Sequence, residues 1–130
     1  MAVSGAMVFA LLAEIGAAVV VALVTWRAAV GSLNRNPIAG VRTRITMSSD
    51  RAWRVGHQAA LRPTLISGAI TVVWCTVSIL IAPLRTPSSV IVASVLLVGG
   101  ALLSTSVAHR AVHHASGDEV DTPQPPRRDV

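Results

Sequence analysis

Three long apolar runs constrain the fold of this chain more than any other feature. They extend from about residue 5 to 26, from 64 to 82 and from 88 to 108. About twenty residues of α-helix, at about 1.5 Å each, cover the roughly 30 Å hydrocarbon layer of a bilayer. Since lipid offers no hydrogen bonds to an open backbone, such runs fold as helices. The sequence therefore predicts an all-α integral membrane protein with three transmembrane helices.

Composition and charge agree with the bilayer as solvent and partner. Only 13% of residues are charged and 52% are hydrophobic, whereas a soluble domain has about 25% charged residues. Every basic residue is Arg, and seven of them lie between residues 27 and 62 with a single acid, Asp50. This distribution fits lipid headgroups and the positive-inside rule better than nucleic acid. It predicts a cytoplasmic central loop and C-terminus, with the N-terminus outside. No basic segment precedes the first run, which argues against a cleaved signal peptide.

The first apolar run contains an acid, Glu14, on a seam of small residues. The seam repeats every fourth position and consists of Ala2, Ala6, Ala10, Glu14, Ala18 and Ala22. Small residues at this spacing let helices approach closely, so Glu14 is expected to face the bundle. Intramembrane acids are costly and often functional. One interpretation is a proton relay in a small transporter or proton-translocating subunit, or a charge partner for an Arg of the loop. The other is a protonated carboxyl that is hydrogen-bonded to the second span.

The second and third runs also carry faces suited to helix packing. In the second run the small and hydroxyl side chains share one face, made up of Thr64, Ser67, Gly68, Thr71, Cys75, Ser78 and Ala82. In the third run Gly99, Gly100 and Ser104 form a small-residue patch. These faces predict a membrane domain over residues 1–115, with a possible homo-oligomer. Residues 116–130 have few apolar side chains to bury and are predicted to be a disordered cytoplasmic tail.

The central loop, residues 34–60, is the main candidate for function. Asn36, Pro37 and Gly40 are turn signals, and Ser49 followed by Asp50 is typical of a helix start. The sequence predicts a short interfacial helix from Asp50 to Arg62. One stripe of that helix is polar (Arg51, Arg54, Gln58, Arg62) and the opposite one less so (Trp53, Gly56, His57, Ala60). Trp53 is expected to anchor it in the boundary layer of the membrane.

A set of residues in this loop resembles the signature of the SdpI-type bacterial immunity family. The set is Asn36-Pro37, Gly40-x-Arg42-Thr43, Thr46-x-x-Ser49, Trp53 and His57. The resemblance implies a non-enzymatic multipass protein of the bacterial plasma membrane. Such a protein would protect its producer from a secreted, membrane-active peptide toxin and would bind a cytoplasmic repressor. The candidate binding residues are Asn36, Gly40, Arg42, Thr43 and Trp53.

Arg42 and Thr43 have two interpretations on residue chemistry. A guanidinium held by the Gly40 turn could clamp a carboxylate or a lipid phosphate. Alternatively, Arg42 is one more cation that sets the orientation in the membrane.

No motif for catalysis, a cofactor or a metal site emerges from the sequence. His109 and His113 stand four residues apart and could chelate zinc, but no Cys or acid completes the set, so solvated histidines near the membrane are favoured. His57 has no partner at a spacing that suggests a catalytic triad, and a neutral histidine in the core or at the membrane interface is the preferred interpretation. We therefore expect no enzyme activity, no cofactor and no metal.

Overall fold

The computed structural model describes residues 2–120, and side chains over residues 5–117. This part of the chain folds into three α-helices: α1 (Ala2–Ala29), α2 (Asp50–Leu80) and α3 (Pro87–Val120). A single 3-10 turn, Ala82–Leu84, joins α2 to α3. Each of the three helices is long and apolar enough to cross a membrane. The predicted all-α membrane fold with three spanning helices is therefore confirmed.

Helix α2 is the central element, because α1 and α3 both pack along it and touch each other only sparsely. The predicted small and hydroxyl face of α2 is the packing face, and its buried members are Thr64, Gly68, Thr71, Cys75 and Ser78. At the crossing with α3, a Cβ added to Gly100 would collide with Ser67. The absence of that Cβ is what lets the two helices approach so closely.

The predicted small-residue seam of α1 packs only in part, since Ala18 is buried, Ala10, Glu14 and Ala22 are half-buried and Ala6 is exposed. Ala18 is 3% exposed and lies where α1 meets Gly68 of α2. Deeper in the bundle, Leu11, Cys75 and Ala93 form a small buried cluster. The opposite surfaces of the helices carry large exposed aliphatic residues, among them Leu65, Ile66, Ile70 and Val73. This is the inverse of a soluble bundle and is expected where lipid replaces water.

The separate interfacial helix is not found, because residues 50–62 form the first part of one continuous α2. Pro63 lies inside that helix, where it removes one N–H donor from the ladder. Membrane helices tolerate such a residue because neighbouring groups satisfy the freed carbonyl. The 31 residues of α2 span about 46 Å at about 1.5 Å each. The helix is thus longer than the hydrocarbon layer, and its first turns are free to carry the loop.

Helix α3 is likewise longer than its apolar run. It continues to Val120, so residues 116–120 of the predicted tail are helical. The rest of that tail, residues 121–130, lies outside the described part of the chain. At its far end α3 runs beside the first turns of α2, where Val112 and Ala108 approach Gly56. These two helix ends form the platform on which the loop folds.

Candidate functional site

The loop between α1 and α2 folds into a compact unit that we call the cap, defined as residues 30–49 together with residues 50–62 of α2. Its centre is a pair of buried rings: Trp53 is 1% exposed and His57 is fully buried. Their ring centroids lie 4.2 Å apart at a tilt of 44°. The predicted stripes of this helical segment are both present, since the arginine stripe is exposed and the stripe with Trp53 and His57 is buried. The stripe with Trp53 and His57 is covered by other parts of the protein. The prediction that Trp53 anchors the cap in the membrane interface is therefore wrong.

Both ring nitrogens of His57 bind the backbone. Nε2 accepts a hydrogen bond from the backbone N–H of Val41 at 2.8 Å. Nδ1 lies 2.8 Å from the carbonyl oxygen of Trp53. A carbonyl can only accept, so the neutral tautomer that carries its hydrogen on Nδ1 satisfies both contacts. His57 is thereby the cross-link between the loop and α2, and the prediction of a neutral buried histidine is consistent with this geometry.

Gly40 is the residue that lets the loop approach these rings. Its φ of 105° is a backbone conformation that other residues rarely adopt. A Cβ at this position would also stand 2.6 Å from Nε2 of His57 and 2.7 Å from Cη2 of Trp53. Backbone conformation and close approach therefore both require glycine here. The predicted turn role of Gly40 has a precise physical basis in this contact.

Asn36 closes the turn that precedes Gly40. Its Oδ1 accepts from the backbone N–H groups of Ile38 at 3.0 Å and Ala39 at 2.9 Å. Its Nδ2 donates to the carbonyl of Asn34 at 2.9 Å. Both polar atoms of the side chain are therefore hydrogen-bonded within the loop and shape its turn, as the Asn-Pro signal predicts.

Two threonines organise the second half of the loop. Thr46 is fully buried, and its hydroxyl donates to the carbonyl of Val41 at 2.7 Å while it accepts from the N–H of Thr43 at 2.9 Å. Thr43 returns the contact, since its hydroxyl oxygen accepts from the N–H of Thr46 at 3.1 Å. Gly56 makes room for this pair: a Cβ there would lie 2.8 Å from Cγ2 of Thr46.

Further hydrogen bonds fasten the cap to its surroundings. Nε1 of Trp53 donates to the carbonyl of Leu33 at 3.0 Å. Nε2 of Gln58 donates to the carbonyl of Ala29, at the end of α1, at 3.1 Å. Arg35 donates to the carbonyl of Met47 at 2.7 Å, and its Nε is 3.5 Å from Asp50. Ser49 caps α2 as predicted, by accepting from the N–H of Ala52 at 3.0 Å.

The common feature of these contacts is that side chains, instead of water, satisfy the loop backbone. Asn36, His57 and the two threonines together serve the backbone N–H groups of residues 38, 39, 41, 43 and 46. Irregular backbone near the hydrocarbon layer is tolerated only where it is satisfied inside the protein. The cap meets that condition over these positions.

Arg42 differs from the other candidate residues because its side chain is exposed and makes no contact that holds the cap. It lines a groove of about 400 Å³ between α1 and α3. Val24 and Thr25 of α1 and Ala101 of α3 form the nearby walls. The groove exists because α1 and α3 both pack on α2 and touch each other only sparsely.

Glu14 lies far from this groove mouth. Its Oε1 accepts a short hydrogen bond from Ser94 of α3, so its partner is on the third span and not on the second. Eleven residues separate it from Thr25 along α1, which is about 16 Å at about 1.5 Å each. The structure therefore does not bring Glu14 and Arg42 together, and the interpretation of Glu14 as a charge partner for that arginine is wrong.

Four of the five predicted site residues thus make contacts that hold the cap together. They are Asn36, Gly40, Thr43 and Trp53. Arg42 faces the groove. Thr46, Gly56 and His57 are not among the candidate binding residues that the sequence predicts, yet they are equally involved in the cap. The spacing of Trp53, Gly56 and His57 on one helical stripe was the available signal. His109 and His113 stack at a centroid distance of 4.7 Å, but no group of three metal-ligating side chains occurs among the described residues.

A three-span helical membrane protein with a side-chain-locked cap is the class of protein that these features define. The model of the SdpI/YfhL protein family matches residues 32–107, a stretch that contains the cap except for its first two residues, all of the apolar part of α2 and most of the third span. The chain belongs to that family. Comparison with the curated proteins and with the solved structures finds no match.

Proposed function

We propose that this chain is a non-enzymatic immunity protein of the bacterial plasma membrane. It would protect its producer against a secreted peptide toxin that acts on membranes. The observation that supports this most is membership of the SdpI/YfhL family over a stretch that includes the folded loop from residue 32 onward. The resemblance of the loop to the signature of the SdpI-type immunity family supports the immunity function, and the cap is the part of the described chain whose construction exceeds what spanning a membrane requires.

We further propose that the cap is the surface by which the protein signals to a cytoplasmic repressor. The arginine count predicts that the cap faces the cytoplasm. Its core is locked by His57 and Trp53, which leaves a preorganised outer surface for a partner. Ile38 stands out on that surface, since it is 87% exposed at the tip of the loop.

Protection is tested by expressing the full chain in a toxin-sensitive bacterium and challenging it with a membrane-depolarising peptide. We expect the wild-type chain to raise survival and Gly40→Val to abolish the effect, because a Cβ displaces the loop from His57. Gly16→Ala is the matched control, as no atom lies within 4 Å of the added Cβ. Killing that is unchanged by the wild-type chain would contradict protection against that peptide.

The orientation and the partner are tested with a single cysteine at the loop tip. Ile38→Cys in a Cys75→Ser background should react with an impermeant thiol reagent only after the cells are opened. Crosslinking from the same position should capture a soluble protein. Labelling in intact cells would reverse the orientation, and a crosslinker that captures only lipid would count against the signalling role.

A further inference from the structure

The groove between α1 and α3 has walls that behave as apolar even where they carry hydroxyl groups. Each of these hydroxyls donates to another atom of the protein: Thr25 to Val21 O at 2.9 Å, Thr43 to Thr46 Oγ1 at 3.2 Å, Thr64 to Ser104 Oγ at 2.8 Å, Ser104 to Gly100 O at 2.8 Å and Thr105 to Ala101 O at 2.8 Å. Apart from Arg42, the remaining wall is formed by valine, alanine and glycine. The groove therefore offers an occupant few free donors along its length.

Arg42 is the exception to this pattern. Arg35 is paired with Asp50, whereas no group within residues 5–117, where the structure describes the side chains, bonds to the guanidinium of Arg42. A guanidinium carries five N–H donors in a planar fork that matches phosphate geometry. The groove thus combines an apolar trough with one unpaired cation, which is complementary to an anion attached to an apolar chain.

The size of the groove distinguishes a peptide from a lipid as its apolar occupant. Its volume is about 400 Å³, close to the volume of one helical turn, about 10 Å wide and about 5.4 Å long. A helical peptide would therefore fit only a single turn. An extended hydrocarbon chain is narrower and can continue into an adjoining cavity of about 40 Å³ between Ala18, Gly68 and Leu97.

The depth of the groove suits a lipid headgroup at Arg42. Trp26 and Arg27 directly follow Thr25 of the groove wall, and both are exposed. Exposed Trp and Arg at a helix end mark the level of the membrane interface. Arg42 lines the groove together with Thr25, so its guanidinium is placed where phosphates of the same leaflet lie.

We propose that the groove binds one anionic phospholipid, with an acyl chain between α1 and α3 and the phosphate on Arg42. The bound lipid would seal the gap between the two helices and join the cap to the bundle. This inference does not depend on protection against a toxin, because it rests only on the groove and its charge.

The test uses the full chain, purified and reconstituted into nanodiscs with equal amounts of phosphatidylglycerol and phosphatidylcholine. Native mass spectrometry then measures the lipid that stays with the protein after release. We expect wild type to retain one phosphatidylglycerol in preference to phosphatidylcholine. Arg42→Gln should lose that preference by roughly tenfold, the effect of removing a charge-assisted contact. Arg44→Gln removes another exposed loop arginine, one that does not line the groove, and it should keep the preference.

A second variant tests the groove itself. Ala101 lines both the main cavity and the adjoining one, so Ala101→Phe should leave no retained lipid, with circular dichroism confirming an intact helical fold. Retention by Ala101→Phe, or equal loss in the two arginine variants, would overturn the proposal. Displacement of the lipid by inorganic phosphate would show a free-anion site instead. Displacement by a synthetic apolar helical peptide would show a peptide site, and either result also overturns it.

Discussion

The two connections of this bundle solve the same geometric problem in different ways. Residues 81–86 join α2 to α3 through one 3-10 turn. Residues 30–49 join α1 to α2 through a folded unit of side-chain hydrogen bonds. Both link antiparallel neighbours, so the short turn shows that the bundle does not need the long one. Long ordered loops without secondary structure are usually functional, and the difference thus directs attention to the cap.

The two regions also use different means to specify their structure. In the spanning bundle, small residues such as Gly100 allow close approach, and neighbouring positions tolerate change. In the cap, individual atoms are required, because the N–H groups of residues 38, 39, 41, 43 and 46 each have a particular side-chain partner. The tryptophans illustrate this: Trp26 of α1 is 48% exposed, whereas Trp53 is 1% exposed and hydrogen-bonded to Leu33. Substitutions in the cap should therefore cost more than comparable ones in the bundle.

The largest expected effect is that of Gly40→Val. It places a β-branched residue at a φ of 105° and drives its Cβ into His57 and Trp53. Strain of this kind, together with the lost packing, should lower the free energy of unfolding by about 2–4 kcal/mol. A thermal melt in detergent should show a clear fall in the unfolding temperature, whereas Gly16→Ala should leave it unchanged or slightly raised. Equal melts for the two variants would mean that the cap does not contribute to global stability.

His57→Phe should have the next largest effect. Phenylalanine keeps the ring but removes both backbone contacts, which leaves the N–H of Val41 unsatisfied at a cost of about 1–3 kcal/mol. Hydrogen exchange of the peptide segment containing residue 41 should accelerate by about tenfold or more. The control is His114→Phe, an exposed histidine near the same end of the bundle. If exchange at residue 41 is unchanged, His57 is not the cross-link that the geometry indicates.

A smaller effect is expected in the bundle, where Gly99 and Gly100 provide a matched pair. Gly100→Ala forces Ser67 and α3 apart and should destabilise the protein by about 1–3 kcal/mol. Gly99→Ala meets no atom within 4 Å and should be neutral or stabilising by up to about 1 kcal/mol. Unfolding in detergent micelles measures both. A loss at Gly100 that exceeds the loss at Gly40 would reverse the ranking of cap and bundle.

The smallest effect is expected for Glu14→Gln. The amide oxygen of glutamine can still accept from Ser94, so stability should change by less than about 1 kcal/mol. The variant also separates the immunity proposal from proton translocation by Glu14. Proton flux into vesicles that is equal for wild type and Glu14→Gln, at equal membrane level, removes the transporter alternative. A proton flux that depends on Glu14 would instead support proton translocation by this acid.

The outline of the bundle and the character of its faces could be predicted from the chain alone. Apolar length identified the three spans, the helical-wheel pattern identified the packing face around Thr71, and the four-residue pattern identified Ala18 in the packing face of α1. These predictions succeed because length and periodicity depend on local sequence, and because lipid imposes one rule on every exposed position. The turn roles of Asn36 and Gly40 were also local, since a side-chain cap and a positive φ involve only neighbours.

Tertiary structure alone decided what the cap residues do. Whether Trp53 faces lipid or protein depends on the loop that folds over it, and the bond between Val41 and His57 joins atoms sixteen residues apart in sequence. The continuity of α2 through Pro63 was likewise not local, because a helix persists across proline when its neighbours satisfy the freed groups. The groove between α1 and α3 arises because both helices pack on α2 and touch each other only sparsely. The sequence by itself determined that this is a three-span membrane protein with a basic loop. Only the tertiary structure decided that the loop is a locked cap beside a groove, because long-range contacts leave no signature in the local sequence pattern.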